Sequence, residues 1–199
     1  MSRRAASGQA RGAALDRLTS VRASEQADGA PLAAPAVERS PRLLLLVALS
    51  ACAGAIHARA FVDHVNHYWL FGVLFALLTY AQVLWAVWIY RAPGDERALM
   101  PAAVVSLGVV AVWLVSRTVG LPIGPWAGRP EPFGIADVVA SLDELVLAGL
   151  IVAIVRPDRW LAARLAWLDG AHGTRVTWMV VTVSLLATAF GKHTHPTTR

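Results

Sequence analysis

The sequence predicts an all-α polytopic membrane protein, a five-helix transmembrane bundle preceded by a disordered N-terminal tail. Of the 199 residues, 56% are hydrophobic and only 16% are charged, whereas about 25% of the residues of a soluble domain are charged. The apolar residues are concentrated in long runs, which is typical of helices that cross a lipid bilayer. In such a chain a net charge of +5 indicates topology-setting basic loops, so we expect no nucleic-acid partner.

Residues 1–42 are rich in Ala, Ser, Arg, Gly and Pro and contain few large apolar side chains. Such a segment buries too little surface to offset its chain entropy, so we expect a disordered cytoplasmic tail. The predicted transmembrane bundle covers residues 43–192, and residues 193–199 form a C-terminal tail. The letters LSAC at residues 49–52 match a lipoprotein cleavage site, but small residues also allow close packing of membrane helices, and we favour that interpretation.

Five apolar segments follow the tail, and about 20 apolar residues suffice to cross a bilayer as a helix. The segments are residues 43–62, 68–90, 98–118, 133–155 and 176–190. Arginines concentrate in the tail and in the loops after the second and fourth segments. The positive-inside rule therefore predicts a cytoplasmic N-terminus and an extracytoplasmic C-terminus. The membrane that we expect is a bacterial plasma membrane.

Two segments outside the spans have a predicted structure of their own. Residues 157–169 place leucines at helical spacing beside tryptophans and arginines, which predicts a short amphipathic helix at the cytoplasmic interface. Residues 119–134 contain four prolines and four glycines, so we expect tight turns there. Because Leu121, Ile123, Trp126 and Phe133 would be poorly placed in water, we expect this loop to fold back over the outer end of the bundle as a cap.

Ionisable residues collect on the predicted outer side. Glu144 is the most costly of them, because it lies near mid-membrane, where a carboxyl group must be protonated, paired or bound to a cation. It shares one face of the fourth helix with Asp137 and Ser141. The members of the outer cluster are His57, Asp63, His64, His67, Arg117, Glu131, Asp137, Glu144, His193 and His195.

Two explanations of this cluster need no cofactor. In the first, the polar groups pair structurally: Arg117 neutralises Asp137 or Glu131, while Asp143 and Glu144 point to other helices. In the second, the cluster supports movement of protons or of a small solute, and Glu144 is the group that titrates.

Two further explanations require a metal. Imidazole and carboxylate ligands suit zinc, iron or copper, whereas the single cysteine, Cys52, excludes thiolate-based zinc sites and iron–sulfur clusters. Haem between two histidines is less favoured, since only one histidine of the cluster is clearly on a helix. The predicted metal ligands are His57, His64, His67, Asp137 and Glu144.

The segment SRTVGLPIGP at residues 116–125, followed by Glu131, Asp137 and Glu144, resembles a pattern in multi-pass membrane proteins of high-GC bacteria to which no activity is assigned. Those proteins also tend to have histidines at the start of the second helix, as His64 and His67 are here. The resemblance covers residues 57–145. It implies that the loop and the outer cluster belong together, and it supplies no cofactor or substrate.

The leading interpretation is a small non-enzymatic membrane protein whose outward-facing His/carboxylate pocket binds a metal ion or another small cation. One alternative is an accessory subunit of a larger membrane complex, in which the polar cluster is internally paired. The other is a membrane oxidoreductase that uses haem or a metal. No residue is assigned a catalytic role. The lipid bilayer is the one partner that composition alone requires.

Overall fold

The computed structural model describes residues 40–93, 95–156 and 159–191. The predicted tail up to residue 39, and residues 192–199 with His193 and His195, lie outside the described residues.

The described residues form helices and no strand. The helices are α1 (Pro41–His64), α2 (Trp69–Arg91), α3 (Glu96–Thr118), α4 (Ile135–Val155), α5 (Arg159–Leu165), a 3-10 turn (Ala166–Asp169) and α6 (Ala171–Phe190). Five of them, α1 to α4 and α6, are long and apolar enough to cross a membrane. The predicted all-α, five-span fold class is therefore confirmed, and a lipid bilayer is the environment that these apolar helices fit.

The helix boundaries differ from the predicted spans mainly at the last helix. We expected a short fifth span from residue 176, but α6 begins at Ala171 and is 20 residues long. At the other end of the chain α1 begins at Pro41, and the side chain of Ser40 caps it by accepting a hydrogen bond from the backbone N–H of Leu43. Proline suits the first turn of a helix because its missing N–H has no partner there.

The long helices run alternately up and down, with α1 and α4 in the middle. Helix α1 packs against α2, α4 and α6, and α4 packs against α3 as well. The core consists mainly of leucines from α1, among them Leu45, Leu46 and Leu49, packed on Leu147 and Ile151 of α4. We call the end with residues 64–69 and 118–135 the loop end, and the end with residues 91–96 and 155–171 the opposite end.

The small residues of the LSAC segment lie where α1 packs closely on its neighbours. Cys52 is buried within α1, and Ser50 donates a hydrogen bond to the backbone oxygen of Gln82 in α2 at 3.0 Å. A Cβ atom on Gly54 would lie 3.4 Å from the Cβ of Gln82. Small side chains thus let α1 and α2 approach closely, as the packing interpretation expects.

The segment after α4 has one buried side, as its leucine spacing predicts. Leu168 is buried in the core, while Trp160 and Trp167 are exposed. Arg164 lies over the ring of Trp160, 4.7 Å from its centroid. Arg42 of α1 forms an ion pair with Asp169 at 2.5 Å, which ties this segment to the opposite end of the bundle.

Two glycines provide a matched test of this packing. A Cβ on Gly72 would lie 2.9 Å from the backbone Cα of Val65, whereas a Cβ on Gly149 would meet nothing within 4 Å. We therefore expect Gly72→Ala to lower the free energy of unfolding by about 1–3 kcal/mol, since overpacking forces a backbone shift. Gly149→Ala should leave it unchanged or raise it. Unfolding in mixed micelles measures both, and equal stabilities would contradict the close approach of Val65 and Gly72.

Candidate binding cleft

A cleft of about 300 Å³ lies in the half of the bundle nearest the loop end. All of α1 to α4 and the 119–134 loop contribute to it. Its lining residues are Ile56, His57, Ala60 and His64 of α1; Phe71, Leu74, Phe75 and Leu78 of α2; Val105, Gly108, Val109, Val112, Trp113, Ser116 and Arg117 of α3; Leu121 and Glu131 of the loop; and Asp137, Ala140 and Ser141 of α4.

The cleft exists because α2 and α3 hardly pack on each other, although consecutive antiparallel helices are usually neighbours. Helix α2 packs against α1 instead, and α3 packs against α4. A contact that does join α2 and α3 lies near the opposite end, where the indole N–H of Trp85 donates to the backbone oxygen of Ala98 at 2.8 Å. From that contact toward the loop end, the two helices diverge.

The walls of the cleft are apolar and partly open toward the surface that faces lipid. Leu74 on one side and Val105 and Val112 on the other are each 40% exposed or more. Gly108 of α3 also lines the cleft, and a Cβ at this position would meet nothing within 4 Å.

Arg117 closes the cleft at the loop end. Its guanidinium group donates hydrogen bonds to the carboxylates of Glu131 and of Asp137, the latter at 2.6 Å. The arginine side chain is 7% exposed, and charged hydrogen bonds of this kind are about twice as strong as neutral ones. We expected pairing with one of the two carboxylates. The structure has both, and thereby links α3, the loop and α4.

The 119–134 loop folds back over the loop end, as predicted. Its turns use Gly120, Gly124 and Gly128 at positive φ, a backbone conformation that favours glycine. The backbone N–H of Glu131 donates to the carbonyl of Ser116 at 2.9 Å, which brings the end of the loop back to α3. Leu121 and Glu131 then form part of the cleft wall.

The expectation that the apolar side chains of this loop avoid water holds only in part. The ring of Trp126 lies 6.3 Å from that of His67, and Phe133 packs edge-on against Trp113 at 5.8 Å. Ile123 and Phe133 nevertheless remain exposed.

Two histidines of α1 line the cleft on the side opposite Arg117. The ring of His57 stacks on Phe75 at 5.8 Å, and that of His64 lies 5.0 Å from the same phenylalanine. The Nδ1 of His64 lies 2.8 Å from the carbonyl oxygen of Ala60. A carbonyl only accepts hydrogen bonds, so Nδ1 carries a proton and donates it to this bond.

Glu144 lies behind the cleft and is fully buried. The side-chain amide of Gln82 in α2 donates to its Oε1 atom, and Nε2 of His57 in α1 lies 3.5 Å from the same oxygen. Sequence reasoning did not identify Gln82 as a site residue. The available signal was that Gln82 is the one side-chain amide of α2 and lies well inside a long apolar helix.

The neighbouring carboxylate, Asp143, faces a different helix. Its Oδ2 atom accepts a hydrogen bond of 2.8 Å from the hydroxyl of Ser184 in α6. Adjacent positions on a helix point about 100° apart, so Asp143 and Glu144 serve α6 and the α1–α2 side respectively. This agrees with the expectation that the two carboxyl groups point to other helices.

The five predicted metal ligands are not brought to one point. His57 approaches Glu144, His64 lies in the cleft wall, and Asp137 binds Arg117. His67 is exposed, with its Nδ1 atom 2.7 Å from the backbone oxygen of Asp63. Within the described ranges, no three His, Cys, Asp or Glu side chains form a group that could hold a metal ion. Metal binding by this set therefore stays a prediction without geometric support.

Comparison of the chain with protein-family models, with curated proteins and with solved structures finds no match. The function is therefore inferred from the geometry of the cleft and of the buried carboxyl groups.

Two arginines near the loop end test how strongly the Arg117 contacts hold the site. Arg117→Ala leaves Glu131 and Asp137 without their cation, so we expect the free energy of unfolding to fall by about 3 kcal/mol. Arg59→Ala removes a guanidinium that is 41% exposed and paired with Asp63, and should cost at most about 1 kcal/mol. Unfolding in mixed micelles distinguishes the two, and similar small losses would contradict a structural role for Arg117.

Proposed function

We propose that this protein is a membrane binding protein whose cleft takes a small, mainly apolar molecule from the bilayer. The observation that carries the proposal is the cleft itself, about 300 Å³ in volume, between two helices that are neighbours in the chain but not in packing. This volume lies at the lower end of the range for small-molecule sites. Apolar walls with a few convergent polar groups at one end are typical of such sites.

The direction of access follows from exposure. The wall residues on α2 and α3 are partly exposed on the sides of these helices, where a bilayer would surround them, and Arg117 with the loop covers the loop end. A ligand dissolved in the hydrocarbon region thus reaches the cleft sideways, between α2 and α3, without crossing the polar end. We further propose that the loop end faces the outside of a bacterial plasma membrane, because basic residues concentrate toward the opposite end of the sequence-predicted spans.

Photolabelling in phosphatidylcholine nanodiscs tests the proposed function. We expect 3-trifluoromethyl-3-phenyldiazirine, a small apolar probe, to label Phe75 and Leu78 of the cleft wall saturably. Labelling of exposed Leu84 should instead rise in proportion to the probe, as for any lipid-facing residue. Gly108→Leu fills the cleft and should lower the saturable labelling about tenfold.

Gly149→Leu is the matched control, since Gly149 is also a mid-helix glycine with open space around its Cβ position but does not line the cleft. It should leave the labelling unchanged. If cleft residues label in proportion to the probe, as Leu84 does, the proposed function is wrong.

A second candidate, binding of a small cation at Glu144, has a specific observation in its favour. Oε2 of Glu144, Oε1 of Gln82 and Nε2 of His57 are buried and have no hydrogen-bond partner in the described part of the chain. Buried polar atoms are rarely left unsatisfied. A cation among these side chains would satisfy two oxygens and one nitrogen, and would balance the carboxylate charge.

The substitution Glu144→Gln tests this candidate. If a cation binds, Na⁺ or Zn²⁺ should raise the unfolding temperature of the unmodified protein relative to choline at equal ionic strength, by an amount that grows with concentration. Glu144→Gln should abolish this shift. Asp143→Asn, which changes the neighbouring carboxyl group that binds Ser184, should retain it. A shift that survives in Glu144→Gln would rule out Glu144 as the ligand.

A further inference from the structure

Two buried N–H groups beside the cleft have no acceptor. They are the indole N–H of Trp113 and the Nε–H of Arg117, neither of which has a hydrogen-bond partner among the residues with described structure. Both residues line the cleft, and they lie one helical turn apart on the same face of α3. Buried donors are rarely left unpaired, because an unpaired donor loses its hydrogen bond to water without replacement.

These donors restrict the chemistry of a ligand. The indole N–H and the guanidinium N–H only donate hydrogen bonds, so the group that satisfies them must accept. An ammonium group only donates and does not meet this requirement. Both residues line the cleft, so a group bound at this end of it lies beside the two donors.

The charges at the same end exclude anionic acceptors. The guanidinium of Arg117 is already bound by two carboxylates, Glu131 and Asp137. Among the lining residues the carboxylates therefore outnumber the guanidinium, and a carboxylate or phosphate on the ligand would meet like charge in a poorly solvated site. The acceptor must be uncharged, as the apolar walls of the cleft also require.

The geometry points to an uncharged carbonyl compound with an apolar body, the chemistry of a quinone ring, as the ligand of the cleft. Its carbonyl oxygen accepts hydrogen bonds from Trp113 and Arg117, and its ring lies between α2 and α3 beside Phe75. Offset contact between an aromatic side chain and a flat ring is favourable beyond the area that it buries. This inference rests on the proposed function and adds the class of molecule that the cleft selects.

Two probes of similar shape distinguish binding through a carbonyl group from binding through burial of apolar surface alone. Duroquinone carries two carbonyl oxygens where hexamethylbenzene carries two methyl groups. Each probe is titrated against 3-trifluoromethyl-3-phenyldiazirine in nanodiscs, over the same range of mole fractions in the bilayer. We expect duroquinone to reduce the saturable labelling at about tenfold lower mole fraction than hexamethylbenzene, because its carbonyl oxygen accepts from two buried donors. Tenfold corresponds to about 1.4 kcal/mol.

The variant Trp113→Phe removes the indole N–H and keeps an aromatic ring against Phe133. It should reduce the preference for duroquinone from about tenfold to about threefold, because the Nε–H of Arg117 remains. Continued competition by hexamethylbenzene shows that the cleft persists in this variant. Trp178→Phe, an exposed tryptophan of α6, is the control and should keep the preference for duroquinone.

Equal competition by both probes in the unmodified protein would overturn the carbonyl inference and leave the proposed function standing. A preference for duroquinone that Trp113→Phe does not reduce would also overturn the inference. If the unmodified protein shows no saturable labelling of the cleft residues, the inference and the proposed function are both wrong.

Discussion

The double contact of Arg117 with Glu131 and Asp137 is the interaction on which the rest of the site depends. A guanidinium group at the end of an apolar helix is stable only where its charge is matched, and here the match comes from the loop and from α4. The contact therefore fixes the loop over the loop end and holds α3 to α4. Because the guanidinium is paired with both carboxylates, the polar end of the cleft offers hydrogen-bond donors without an unpaired positive charge.

A second group of polar contacts, around Glu144, holds the helices on the other side of the cleft. Glu144 of α4 receives the amide of Gln82 and lies near His57, so one buried carboxyl group joins α4 to α2 and α1. Helix α2 is thereby held to α1 and α4, while Arg117 holds α3 to α4. Neither group of contacts draws α2 and α3 together, and their hydrogen bond from Trp85 to Ala98 lies near the opposite end. The gap between them is a consequence of where the polar contacts lie.

The sequence was sufficient to predict the fold class, because five long apolar runs have few solutions in a bilayer. It also indicated that the 119–134 loop returns over the bundle and that Arg117 neutralises a nearby carboxylate. It did not indicate that α2 and α3 stay apart, since the separation depends on which faces of four helices meet, and the apolar faces of membrane helices look alike in sequence. For the same reason Gln82 and Gly108 were not recognised. Five ionisable residues on one predicted side were grouped as metal ligands, and among the described residues they do not come together at one point.

The most direct test of the account is a crystal structure grown in a lipid phase with bromopentamethylbenzene, whose bromine is located by its anomalous scattering. This apolar probe tests the cleft independently of the carbonyl inference. We expect a bromine peak between α2 and α3, in contact with Phe75, Gly108 and Val112. We also expect α2 and α3 to lie apart on either side of the cleft. Helices α2 and α3 packed against each other along their length, with bromine found only on the outer, lipid-facing surface of the bundle, would contradict the account.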